Sequence, residues 1–189
     1  NVNSKCQKWL VRWRDKEALI RRRVLKSPNY FAGDMRELER VHQQVASGLT
    51  KIFDEFSFPG LSFVEWKGAE AASELIQNCW SEPQFMKSSL PLVEQAFRFG
   101  ELPGRFFAEI YDAVMFLENK PQVFGTRYDW AVDGKYALWP VVERRALGKR
   151  RLIVGLEKSV EPSRKPPKGL RSPRDLRRYQ ADFDRWARD

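Results

Sequence analysis

Apolar residues recur at helical spacing over most of this chain, and the runs are separated by short stretches rich in proline and glycine. Residues 5–26 form the first run. Trp9, Leu10, Trp13, Leu19 or Ile20, and Val24 share one helical face, and Ser27-Pro28 ends it. The other face is basic, with Arg12, Arg14, Lys16, Arg21, Arg22, Arg23 and Lys26. Asp34 and Glu37 make a capping-box-like start for a second helix, whose stripe Leu38, Val41, Val45, Leu49, Ile52, Phe53 and Phe56 predicts a helix to about Glu55. Phe58-Pro59-Gly60 predicts a turn, and Trp66 to Cys79 a third helix. The small residues Gly68, Ala69, Ala71, Ala72 and Ser73 suit it to close contact with another helix. A fourth helix is predicted from Pro83 to Phe99, kinked or restarted at Pro91 and ended by Gly100. A fifth follows Pro103-Gly104, with Phe106, Phe107, Ile110, Tyr111, Val114 and Leu117 inward and Arg105, Glu109 and Asp112 off that face.

After Asn119-Lys120-Pro121 the pattern changes. Two aromatic-rich runs flank Asp133-Gly134, a hairpin signal, with the hairpin placed near 122–140. Because Pro103 to Pro140 changes character so often, it is expected to shape the main concave surface. Val142 to Val154 predicts a short basic helix stopped by Gly155, and residues 157–171 read as a Pro/Lys-rich connector. Ser172-Pro173 opens a last amphipathic helix with the stripe Leu176, Tyr179, Phe183 and Trp186, which needs the domain or a partner chain to lie against. The expected fold is mainly α: a single compact helical domain of six or seven helices over 31–156 with one small β-hairpin. A basic N-terminal helix over 1–30 and a connector plus amphipathic helix over 157–189 flank it.

At 189 residues with 42% hydrophobic and 13% aromatic content, the chain has enough apolar material for one real core. No apolar run is long enough to span a membrane. The net charge of +9 is unevenly placed: residues 1–30 hold nine basic against two acidic side chains, and residues 31–141 hold ten against sixteen. Two readings follow. The basic ends fold back on the acidic middle, or they present a surface to nucleic acid or another polyanion. Cys6 and Cys79 are too few and too far apart for a metal site or a disulfide framework, and read as free thiols or a single disulfide. The start at Asn1 reads as a trimmed N-terminus, which leaves cytoplasmic and exported locations open.

No P-loop, GxGxxG, HExxH, GxSxG or CxxC motif is present. His42, the single histidine, lies beside the stripe of the second helix and reads as a boundary residue; no metal or cofactor is expected. Glu109 and Asp112, three apart, could form a carboxylate pair, although a solvated charge pair is the plainer reading. Gln122, Thr126 and Arg127 offer amide, hydroxyl and guanidinium groups to a small polar or anionic ligand, or else hold the turn together.

The frame FPG, a helix opening with Ala-Ala, IQ–NCW–P, LPLVEQA–GE, IYDAV, PQVFGT and RR–VGL, read over Leu38 to Leu156, resembles a bacterial domain family of unknown function with a PQ-x-YGTQ signature. The departures are Asn78 and Trp80 in place of a His and an Asp, Ala113 in place of an Arg, Phe124 in place of the Tyr, and Arg127 in place of the final Gln. Gln77, Asp112, Gln122 and Thr126 are retained. The resemblance implies a mostly helical fold with a small hairpin and, through its lost polar positions, lowers the expectation of catalysis.

Three functional readings stand. The first is a non-catalytic binding or interaction protein, with a protein partner at its aromatic surface and basic ends. The second is a small-ligand enzyme with a pocket around Gln77, Asp112, Gln122 and Thr126, extended to Arg127 and His42. The third is nucleic-acid or polyanion binding through Trp9, Trp13, Arg21, Arg22, Arg23, Arg150 and Arg151, with Tyr179, Phe183 and Trp186 as a further contact face. Oligomeric state is not legible.

Overall fold

The computed structural model describes residues 2–26, 35–131 and 134–166. Among them are six α-helices: α1 (Ser4–Lys26), α2 (Met35–Phe56), α3 (Leu61–Asn78), α4 (Pro83–Arg98), α5 (Gly104–Leu117) and α6 (Leu147–Ile153). One hairpin, β1 (Tyr128–Trp130) with β2 (Tyr136–Leu138), sits between α5 and α6. The fold is mainly α with a small antiparallel hairpin, as the sequence predicts. The Asp34 cap and the C-terminal stripe Leu176, Tyr179, Phe183 and Trp186 lie outside the described residues.

α3 is the hub, packing against α1 and α5 and touching α2 and α4. The small residues make this possible: Ala69, Ala71, Ala72 and Ser73 are fully buried, and a Cβ on Gly68 would stand 3.2 Å from Gln7 of α1. The helix is broken at Glu65 (φ 57°, ψ 179°), which explains why the periodicity is clear only from Trp66 onward. The break is bridged from α1, where the Gln7 amide donates to the Val64 carbonyl at 2.8 Å and to the Glu65 carboxylate at 3.0 Å.

α1 and α2 run antiparallel. Arg23 pairs with Glu37 at one end, and Trp9 lies on the backbone of Gly48 near the other, where a Cβ would come within 2.2 Å of the indole. Leu38, Val41, Val45 and Leu49 are buried as the stripe predicts, while Phe56 is left largely exposed. α4 runs through Pro91 as one element, so of the two expectations there the helix does not restart.

The hairpin pairs Tyr128 with Leu138, Asp129 with Ala137 and Trp130 with Tyr136, with Gly134 in the left-handed region (φ 80°) at the turn. Part of the expected connector is ordered against it. Leu138 donates to the Pro162 carbonyl, Arg164 donates to the Tyr136 carbonyl, and the Arg164 guanidinium covers the Tyr128 ring at 3.8 Å. The helix expected over 142–154 is shorter, a 3-10 turn (Arg144–Ala146) followed by α6.

Candidate functional site

The expected carboxylate of α5 is the centre of the best-defined polar site, but it is not on a solvated face. Asp112 is fully buried. One carboxylate oxygen accepts from the amides of Val123 (2.8 Å) and Phe124 (3.0 Å). The other accepts from the amide and hydroxyl of Thr126, at 3.0 and 2.9 Å. Converging three backbone N–H groups on one anion requires the chain to curl, and Gly125 supplies the left-handed step (φ 70°). Phe124 seals the site, edge-on to Phe107 and Tyr111. The PQVFGT stretch is thus a loop wrapped around a helix-borne carboxylate. Glu109, the other member of the expected pair, pairs instead with Arg105 at 2.9 Å.

Gln122 braces the same loop from the other side. Its side-chain oxygen accepts from the Arg127 amide at 2.8 Å, and its NH2 donates to the carbonyls of Arg127 (2.9 Å) and Trp139 (2.8 Å). The Arg127 guanidinium turns inward, donating to the Gln77 side-chain oxygen at 2.9 Å and to the Glu109 carbonyl at 2.7 Å. Burial pushes its pKa down from the usual arginine range, opposed by the carboxylates of Glu109 and Asp112. Gln77, Asp112, Gln122, Thr126 and Arg127 are therefore linked into one set whose hydrogen bonds run to backbone and to each other, the Arg127 Nε alone among their buried polar atoms lacking a partner.

His42 belongs to a different cluster, and it is buried rather than at a boundary. Its Nδ1 lies 2.6 Å from the Ser81 hydroxyl and 3.4 Å from the Ser81 amide nitrogen. Nε2 faces Glu17 at 3.7 Å, too far for a hydrogen bond. Glu17 is itself buried and held by Arg21 at 2.8 Å, and Trp80 covers the imidazole edge-on. Sequence reasoning missed Glu17 and Ser81. Glu17 carried a signal, standing at stripe spacing between Trp13 and Ile20, where a charge has a partner if it is buried. Ser81 carried none.

Both cysteines are buried free thiols. Burial, followed by the charge of Glu82, pushes the Cys79 pKa up to about 12. Alkylation with iodoacetamide at about pH 8 should leave Cys79 unmodified in the folded protein and label it once denaturant is added, as read by peptide mass spectrometry. Labelling at the rate of a free thiol would show that the turn between α3 and α4 opens.

The basic residues divide into two sets. Arg21 and Arg23 are paired with Glu17 and Glu37, and Arg14 lies near Asp15, Glu70 and Glu74. Arg22 is exposed. Arg150 donates to the carbonyls of Val123 and Val142, and buried Arg151 donates to those of Glu157, Phe124 and Gly125. The α6 arginines thus tie the loop that holds Asp112 and do not form a free cationic surface.

Three grooves are lined by described residues with none from 103–140, the stretch expected to shape the main concave surface. A groove of about 820 Å³ runs between α1 and α2, larger than two others of about 420 and 370 Å³ that the described residues line. Trp9 and Trp13 line it from α1, with ring centroids 5.8 Å apart and planes tilted by 42°, and Arg40, Gln43 and Lys51 line it from α2. None of the three grooves is lined by Asp112, Gln122, His42 or Ser81. Among the described residues no cluster could hold a metal ion, and no helix is long and apolar enough to cross a membrane.

No curated protein and no solved structure matches the chain. The family match extends beyond the Leu38–Leu156 span of the sequence motifs, taking in nearly all of α1 and the segment that pairs with β2. Over residues 6–165 the chain matches the family of unknown function DUF6624, and it belongs to that family.

Proposed function

We propose that this is a non-catalytic binding protein whose contact surface is the groove between α1 and α2. The observation that carries the reading is the engagement of the polar residues of the signature loop, retained or replaced. Asp112 accepts four donors, both ends of the Gln122 amide are bonded, and Arg127 is turned into the fold. A group whose lone pairs and protons are already held by backbone is poorly suited to act on a substrate. The groove offers the opposite arrangement: two indoles and cations line it together. Such a combination of apolar body and few polar groups is the usual make-up of a recognition surface.

The test is affinity capture from a lysate of the native source, with and without nuclease and at two salt concentrations, using the parent chain and an Arg40→Glu/Lys51→Glu variant. Both side chains are exposed, so the variant should unfold with the parent. The expected result is a companion retained by the parent and lost by the variant. Identical recoveries from both chains would remove the groove from the reading.

A further inference from the structure

Resting on the groove reading above, we propose that the α1–α2 groove binds single-stranded nucleic acid. Bases would stack on Trp9 and Trp13, and phosphates would meet Lys5, Arg40 and Lys51. The starting observation is how the cations of this region are distributed. On α1, Arg14, Arg21 and Arg23 lie against carboxylates of the fold. No described carboxylate pairs with Lys5, Arg40 or Lys51, and these three line the groove, against a single lining carboxylate, Glu55. A concave surface with an excess of unneutralised cations concentrates anions.

The shape of the positive surface selects among anions. Arg40 and Lys51 are three turns apart on α2, about 16 Å along the helix axis. Lys5 stands at the Lys51 end, because α1 and α2 are antiparallel and Trp9 meets Gly48. Between the two charged ends lie the indoles. Their centroid separation of 5.8 Å is too small to admit a base between them, and the Lys16 ammonium lies 4.3 Å over the Trp13 ring, so a base would stack on the uncovered face of the pair with that cation beside it. Cation, aromatic, cation over the length of a few nucleotides is the arrangement by which single strands are held without sequence readout. The amide of Gln43 and the hydroxyl of Ser47 add donors and acceptors for base edges. A duplex hides its base faces, and polyglutamate carries no aromatic ring to stack on the indoles.

The experiment uses the full chain and a fluorescein-labelled single-stranded oligodeoxynucleotide about a dozen long, followed by polarisation over a salt series. The expected result is binding whose logarithmic salt slope is about −2, for three phosphate contacts at about −0.7 each. Arg40→Ala/Lys51→Ala should weaken it at least tenfold, and Trp13→Leu by about tenfold, with circular-dichroism melting curves unchanged for the charge variant. The same sequence as a duplex, and polyglutamate of equal charge, should compete poorly. The proposal is overturned by no binding at low salt, by binding that ignores the Arg40/Lys51 change, or by polyglutamate competing as well as the oligonucleotide. In the last case, retained dependence on Arg40 and Lys51 leaves the groove as a binding site and changes only its ligand. A companion captured from lysate by parent and variant alike would instead move the contact surface away from the groove.

Discussion

Replacing Asp112 by alanine is expected to lower the free energy of unfolding by about 3–5 kcal/mol, measured by denaturant titration with far-ultraviolet circular dichroism. The carboxylate is fully buried, and its removal orphans the amides of Val123, Phe124 and Thr126 together with the Thr126 hydroxyl. Each buried donor left without an acceptor costs about 1–3 kcal/mol, and water entering the space vacated by the side chain recovers part of that. Asp112→Asn keeps the shape but presents an NH2 to N–H donors, so it should fall between parent and alanine. Glu94→Gln is the control. Its ion pair with Arg98 lies on the exposed side of α4, away from the site, where the loss should stay within about 0.5 kcal/mol. If Asp112→Ala costs less than about 1 kcal/mol, the carboxylate does not organise the loop.

This expectation could not have been reached from periodicity. A polar residue at the Asp112 position of an amphipathic helix reads as solvated, and the reading fails because a loop more than ten residues downstream folds over it. Hydrogen bonds of that span leave no repeating pattern. What the sequence did carry was the co-occurrence of Asp112 with Gln122, Gly125 and Thr126, the residues needed for an anion held by a curled backbone. Helix positions were legible wherever the apolar residues keep to one stripe, as in α2 and α5. They were less so in α3, whose hub position buries several faces and whose break at Glu65 interrupts the register. The groove between α1 and α2 was not legible at all. It depends on Trp9 docking at Gly48, a contact that belongs to the packing of two helices and not to either alone.

The loop should also behave as one cooperative unit, and this separates a structural clamp from a set of independent ligands. Gln122→Ala alone is expected to cost about 2–4 kcal/mol, because the buried amide serves the Arg127 N–H and two carbonyls that have no ready alternative in the interior. Asp112 and Gln122 do not bond each other. They hold adjacent parts of the same six-residue turn, Asp112 at Val123 to Thr126 and Gln122 at Arg127. Once either anchor is lost the turn relaxes, and the second then has little left to hold. The double variant should therefore be less destabilised than the two single losses together, by about 1–3 kcal/mol. Strict additivity would mean that each side chain acts on its own neighbours only, and the engagement of these residues would no longer argue against a separate role for either in ligand binding.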